Sequence, residues 1–190
     1  MRSTTGPEGS RLLVFLATLM VVVVGSCKKV EPPKVPEYKM TSSIREIMGA
    51  MVMPSADVLW NAVSTSVTAT GVEEKAPHTD QEWNSVRASA ITMIEASDLI
   101  LIPGRHVAPP GSANKEPSVN LDPDRIAKMI SEDPDSWTKF AHAMHDSVLP
   151  ALKAIDAKSP MALSDAGAGI DQACENCHLK FFYPRDAQKK

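Results

Sequence analysis

Cys174-Glu175-Asn176-Cys177-His178-Leu179-Lys180-Phe181-Phe182-Tyr183-Pro184 is the stretch on which the reading of this chain turns. It contains C-x-x-C-H, the attachment signature of a c-type haem. On a helix, positions three and four apart share a face, so Cys174, Cys177 and His178 converge on one side. Two thiols there can add to the two vinyl groups of one porphyrin while the imidazole reaches the iron. The segment implies a single covalent haem c, with His178 as axial ligand.

Two other readings of the cysteine pair stay open. A C-x-x-C can be half of a zinc site, but zinc takes four ligands and the chain has no second cysteine pair. It can also be a redox dithiol, which belongs in a βαβ setting, whereas the residues around this one have a helical rhythm.

Working outward, Ser159-Pro160 is a helix start, and Met161, Leu163, Ala166, Gly167, Ile170 and Ala173 lead directly into Cys174. Small residues Ala166 to Gly169 leave room for a neighbouring helix or a haem edge. Before that, Asp133-Pro134 opens a long segment whose apolar stripe is Trp137, Phe140, Ala141, Met144, Val148, Leu152 and Ile155, with Pro150 expected to bend it. Thr79-Asp80-Gln81-Glu82 is a capping box, followed by Trp83, Val86, Ala90, Met93, Ile94 and Leu101 at helical spacing. Pro103-Gly104 ends that helix. A long loop follows, and a short helix is expected from Asp122-Pro123.

The first helical segment starts near Thr41 and carries Ile44, Ile47, Met48 and Met51 on one face. Pro54 must kink it or divide it, because proline lacks a donor and clashes with the preceding turn. No stretch alternates apolar and polar residues, so no sheet is expected. The pattern predicts an all-α fold, an antiparallel four-helix bundle over residues 41–184, in which cofactors sit between facing helices.

The N-terminal part reads as targeting. Arg2 and Arg11 precede the apolar run Leu12–Val24, and Gly25-Ser26 stand before Cys27. This is a secretory signal over residues 1–26, resembling the bacterial lipobox in which Cys27 is acylated. Residues 27–40, rich in Pro and charge, read as a tether, and residues 185–190 as a tail. An ordinary signal peptide without lipid is the alternative. With Cys27 assigned to lipid, all 3 cysteines are used. Since c-type haem is attached outside the bacterial cytoplasm, export and C-x-x-C-H support each other, and the chain is expected in the periplasm, membrane-anchored. Its net charge of −3, near −4 without the signal, argues against nucleic acid as a partner.

A bundle with C-x-x-C-H on its last helix resembles the class II c-type cytochromes, the cytochrome c′ and c556 family. Ile44-Arg45-Glu46-Ile47-Met48 followed by Pro54-Ser55-Ala56-Asp57 is also similar to proteobacterial haem proteins of that class. The resemblance implies that the first helix covers the open haem face. There, c556-type members place a methionine on the iron, and c′-type members place an apolar shield. It implies Met48 as the distal ligand, with Met51 and Met53 as alternatives, and Arg45 as a partner for a haem propionate. Arg45 and Met48 are three apart, where the family pattern has four.

His142 and His145 are further conceivable ligands. Trp60, Trp83 and Trp137 are expected in the core or as haem walls, and Phe181, Phe182 and Tyr183 over the proximal haem edge. The implied function is that of a non-enzymatic carrier of single electrons by Fe(III)/Fe(II) cycling, serving periplasmic or membrane redox proteins, with two copies able to pair. The alternatives are a five-coordinate binder of nitric oxide or carbon monoxide, and an interaction lipoprotein whose C-x-x-C-H is incidental.

Overall fold

The computed structural model describes residues 37–114 and 117–184. The signal segment, Cys27, residues 27–36 of the tether and the tail lie outside the described residues. From Tyr38 on, the described residues form one compact unit. Within it, seven helical pieces and two strands follow one another: α1 (Ile44–Ile47), a π-helical turn (Met48–Val52), α2 (Met53–Asn61), β1 (Ser64–Thr68), β2 (Gly71–Lys75), α3 (Asp80–Leu99), α4 (Pro123–Glu132), α5 (Pro134–Asp156) and α6 (Pro160–Phe181).

The helix starts follow the capping chemistry. Ser43 and Thr79 each close a full capping box, with Glu46 and Glu82 respectively, and the Asp133 and Ser159 side chains, just before Pro134 and Pro160, accept from the Ser136 and Ala162 amides. α5 runs on through Pro150, which lies on its exposed face.

α5 packs against both α3 and α6, and α2 lies against α3 and α6. End-to-start contacts fix the directions. At the start of α3, Asp80 and Arg87 pair with Lys158 and Asp156 at the end of α5, at 2.6 and 2.7 Å, so these helices are antiparallel. Trp60, late in α2, donates from Nε1 to the Gly167 carbonyl early in α6 at 3.2 Å. A Cβ on Gly167 would stand 3.3 Å from Trp60 Cδ1, so the small-residue stretch does admit a neighbouring helix here. The core between them includes Ile47, Leu59, Met93, Trp137, Val148, Leu163, Ile170 and Phe181, all buried.

The expectation of an all-helical bundle holds at this coarse level and needs two corrections. First, where no sheet was expected there is a hairpin, β1 paired antiparallel with β2, Val67 opposite Val72. Every residue of both strands is exposed, so no face is buried and no alternating pattern was available to signal it. The β-branched Thr65, Val67 and Thr68 and the turn at Gly71 (φ 141°) carry it instead. Second, Pro54 neither stops nor simply kinks the first helix. Helical backbone continues from Ile44 to Asn61 because the turn before Pro54 widens, with the Met53 amide donating to the Met48 carbonyl five residues back. Proline cannot bond to the carbonyl four residues back and its ring crowds it, and a wider turn relieves both.

The connection between α3 and α4 straps the start of the first helical run to the end of α6. The Ile44 and Arg45 amides donate to the His106 and Val107 carbonyls at 2.9 Å each, and the Leu121 amide donates to the Phe182 carbonyl at 2.8 Å. The start of the first helix is thereby held in register with the rest.

Candidate functional site

Near the end of α6, Cys174, Cys177 and His178 line one narrow cavity of about 60 Å³. The first helical run lines it too: Met48 and Val52 from the π turn, then Met53, Ala56 and Trp60 from α2. Ile100, Phe140, Ala141, Met144 and Ala173 complete it. Apart from the motif itself, the lining is apolar with one indole. Such a wall excludes water and lowers the local dielectric.

Helix geometry accounts for the convergence. Cys174, Cys177 and His178 occupy one face of α6, as their three-and-four spacing requires. On the first helical run, Met48 and Met53 are five apart. A regular α-helix would turn them about 140° from one another. The i to i+5 turn narrows that angle, and both methionines reach the same cavity.

Burial sets the protonation of the donor set. Desolvation, then the Asp171 carboxylate, push the Cys174 thiol up to about 11; desolvation, then Cys174, push Cys177 up to about 12. Both stay protonated at neutral pH, unlike the activated thiolates of dithiol oxidoreductases. Desolvation also holds the His178 imidazole below its ordinary value, against the opposing Glu175 charge, which leaves it neutral and able to ligate. Among the described residues, no group of three or more His, Cys, Asp or Glu side chains stands together to hold a bare metal ion. A porphyrin brings four nitrogens of its own, and two thiols, one neutral imidazole and apolar walls are the donor set that a covalent haem uses.

Of the other residues singled out by sequence, Met51 is partly buried against the core and does not line the cavity. Arg45 donates from its guanidinium to the Ala113 carbonyl at 3.4 Å, and it too is outside the lining. His142 is exposed, and His145 pairs with Asp146 at 2.8 Å; neither faces the cavity. Of the three tryptophans, only Trp60 is a wall residue; Trp83 and Trp137 are core. Phe181 is fully buried, edge-on to Trp137 and Phe140 at 5.4 and 6.1 Å. Phe182 and Tyr183 flank the His178 ring, at 5.3 and 5.7 Å. Phe140, Ala141 and Met144 are residues that sequence reading left in the core stripe of α5 and the structure puts on the cavity wall. Their place on one helical stripe was the available signal.

No family model matches the chain, and no curated protein matches it. Among solved structures, a nitric oxide complex of a mutant cytochrome c prime from Alcaligenes xylosoxidans is remotely similar, at 16% identity and a TM-score of 0.40, over 74% of this chain and 85% of that one. No helix among the described residues is long and apolar enough to cross a membrane.

Proposed function

We propose that this chain is a monohaem c-type cytochrome. It would be exported to the periplasm, anchored through lipid on Cys27, and would work by redox cycling or small-gas binding at one iron without transforming a substrate. The observation that carries this reading is the convergence of Cys174, Cys177 and His178 on one apolar cavity. The haem, when bound, supplies a one-electron Fe(III)/Fe(II) couple. Cys174 and Cys177 would hold its rim through thioethers, and His178 would bind the iron from α6. Trp60, Phe140, Ala141 and Ala173 would exclude water.

The two finer readings differ only in what the first helical run presents. For electron transfer, Met48 or Met53 would be the sixth ligand, a soft thioether that favours Fe(II). The presence of both in the lining of the cavity that holds His178 supports it. For gas binding, Val52, Ala56 and Trp60 would shield an open iron face, and their place in the same lining supports that reading. A carrier would dock on periplasmic or membrane redox proteins, and two bundles would be able to pair.

The test is the absorption spectrum of purified protein, oxidised and reduced, with and without carbon monoxide. For a carrier, the expected result is a low-spin haem with a weak far-red methionine band, unmoved by carbon monoxide and lost in Met48→Ala or Met53→Ala. A high-spin ferrous haem that takes up carbon monoxide readily would exclude the carrier and leave the gas binder.

A further inference from the structure

The C-x-x-C-H spacing leaves the two intervening residues chemically free, and here one of them is captured. Tyr183 donates its hydroxyl to Glu175 Oε2 at 2.6 Å. The chain is turned back on itself to make that bond. α6 ends at Phe181, and the amides of Phe182 and Tyr183 both donate to the His178 carbonyl, at 2.8 and 3.0 Å, while the Phe182 carbonyl accepts from Leu121. That wrap returns Tyr183 along the helix to Glu175 and stands both aromatic rings against His178. Sealing the bundle end does not require it, since Phe181 fills that role against Trp137 and Phe140.

Glu175 is three residues before His178, on the same helix face, and its charge acts on the imidazole. A carboxylate beside an axial imidazole raises the ligand's basicity and stabilises the higher oxidation state. A hydroxyl bonded to that carboxylate draws off part of its charge and fixes its direction.

We propose that Tyr183 is a positioning residue: by holding the Glu175 carboxylate and flanking the His178 ring, it limits how strongly that carboxylate can enrich the axial imidazole, and so sets the haem potential. This inference rests on His178 being the haem ligand. It holds whichever residue covers the opposite face.

The experiment is electrode titration of the haem-loaded wild type, Tyr183→Phe, Glu175→Gln and the double variant. Covalent haem content is measured first by the alkaline pyridine spectrum, and folding by circular dichroism. Tyr183→Phe keeps the ring and frees the carboxylate, so the potential is expected to fall, by up to a tenfold change in the reduction equilibrium, ~59 mV for one electron. Glu175→Gln is expected to raise it. The double variant is expected to match Glu175→Gln, because the hydroxyl acts only through the carboxylate. An unchanged or raised potential in Tyr183→Phe overturns the proposal, as does the full Tyr183→Phe shift persisting in the Glu175→Gln background. Wild type lacking covalent haem overturns the haem reading and this inference together, whereas loaded protein with unmoved potentials overturns the inference alone.

Discussion

Gly167 and Gly169, two residues apart on α6, face different physics. Alanine is about 1 kcal/mol better than glycine inside a helix. A Cβ at Gly169 meets nothing within 4 Å, so Gly169→Ala is expected to gain most of that, raising the unfolding midpoint by roughly 2–4 °C. At Gly167 the new carbon would stand 3.3 Å from Trp60 Cδ1, and the indole is tethered by its bond to the Gly167 carbonyl. Gly167→Ala should therefore gain less or lose stability; equal gains in thermal unfolding of the two variants would show that Trp60 is free to shift. At this scale, the sequence made Cys174, Cys177 and His178 legible, since their chemistry depends on spacing along one helix. It did not show that Arg45 turns toward Ala113 or that Met144 lines the cavity, because both depend on elements far away in the chain.

Among the elements, the π turn at Met48–Val52 is the one that decides the distal wall. Its start is clamped by the capping box of Ser43 and Glu46 and by the strap at His106 and Val107; its far side is clamped by Trp60 on α6. The wide turn absorbs the mismatch between the two. Deleting Gly49, which is exposed and where a Cβ would meet nothing within 4 Å, is expected to remove the extra residue of the wide turn and restore regular α-helix, with Met48 and Met53 then four apart and still on one face. Nuclear Overhauser contacts from the Met48 methyl to Phe140 and Ala173 should then persist in the haem-free protein; their loss would mean that the wide turn is more than one inserted residue. Pro54 marked the place in the sequence, but a local rule cannot choose between kink, break and wide turn when both ends are held by distant contacts. The hairpin escaped notice for the opposite reason: none of its residues takes part in the core, so burial left no imprint on its pattern.

Across the molecule, carboxylates tie helix ends together. Lys158 holds Asp80 and Lys180 holds Asp133 below the usual carboxylate range. The backbone amides of Ser43 and His78 do the same for Glu46 and Glu82. A depressed folded value means that the stability these groups contribute is present above the unfolded values, about 3.9–4.3, and is lost as pH falls through the lower folded ones. With His178 also held below its unfolded value, the denaturation midpoint of the haem-free protein is expected to decline gently below about pH 6.5 and more steeply below about pH 4; a midpoint that rises on acidification would contradict this. The bundle as a whole was legible because helical periodicity and caps are local signals summed over long segments. The order of packing, with α5 between α3 and α6, was not.

Covalent attachment is the claim from which the rest follows. Protein expressed with the c-type maturation machinery should keep its haem through acid–acetone extraction and denaturing electrophoresis, with a mass equal to the processed chain plus one haem. Cys174→Ala/Cys177→Ala should release any haem it binds. Wild-type chain of bare polypeptide mass, or haem that extracts freely from it, would contradict the account.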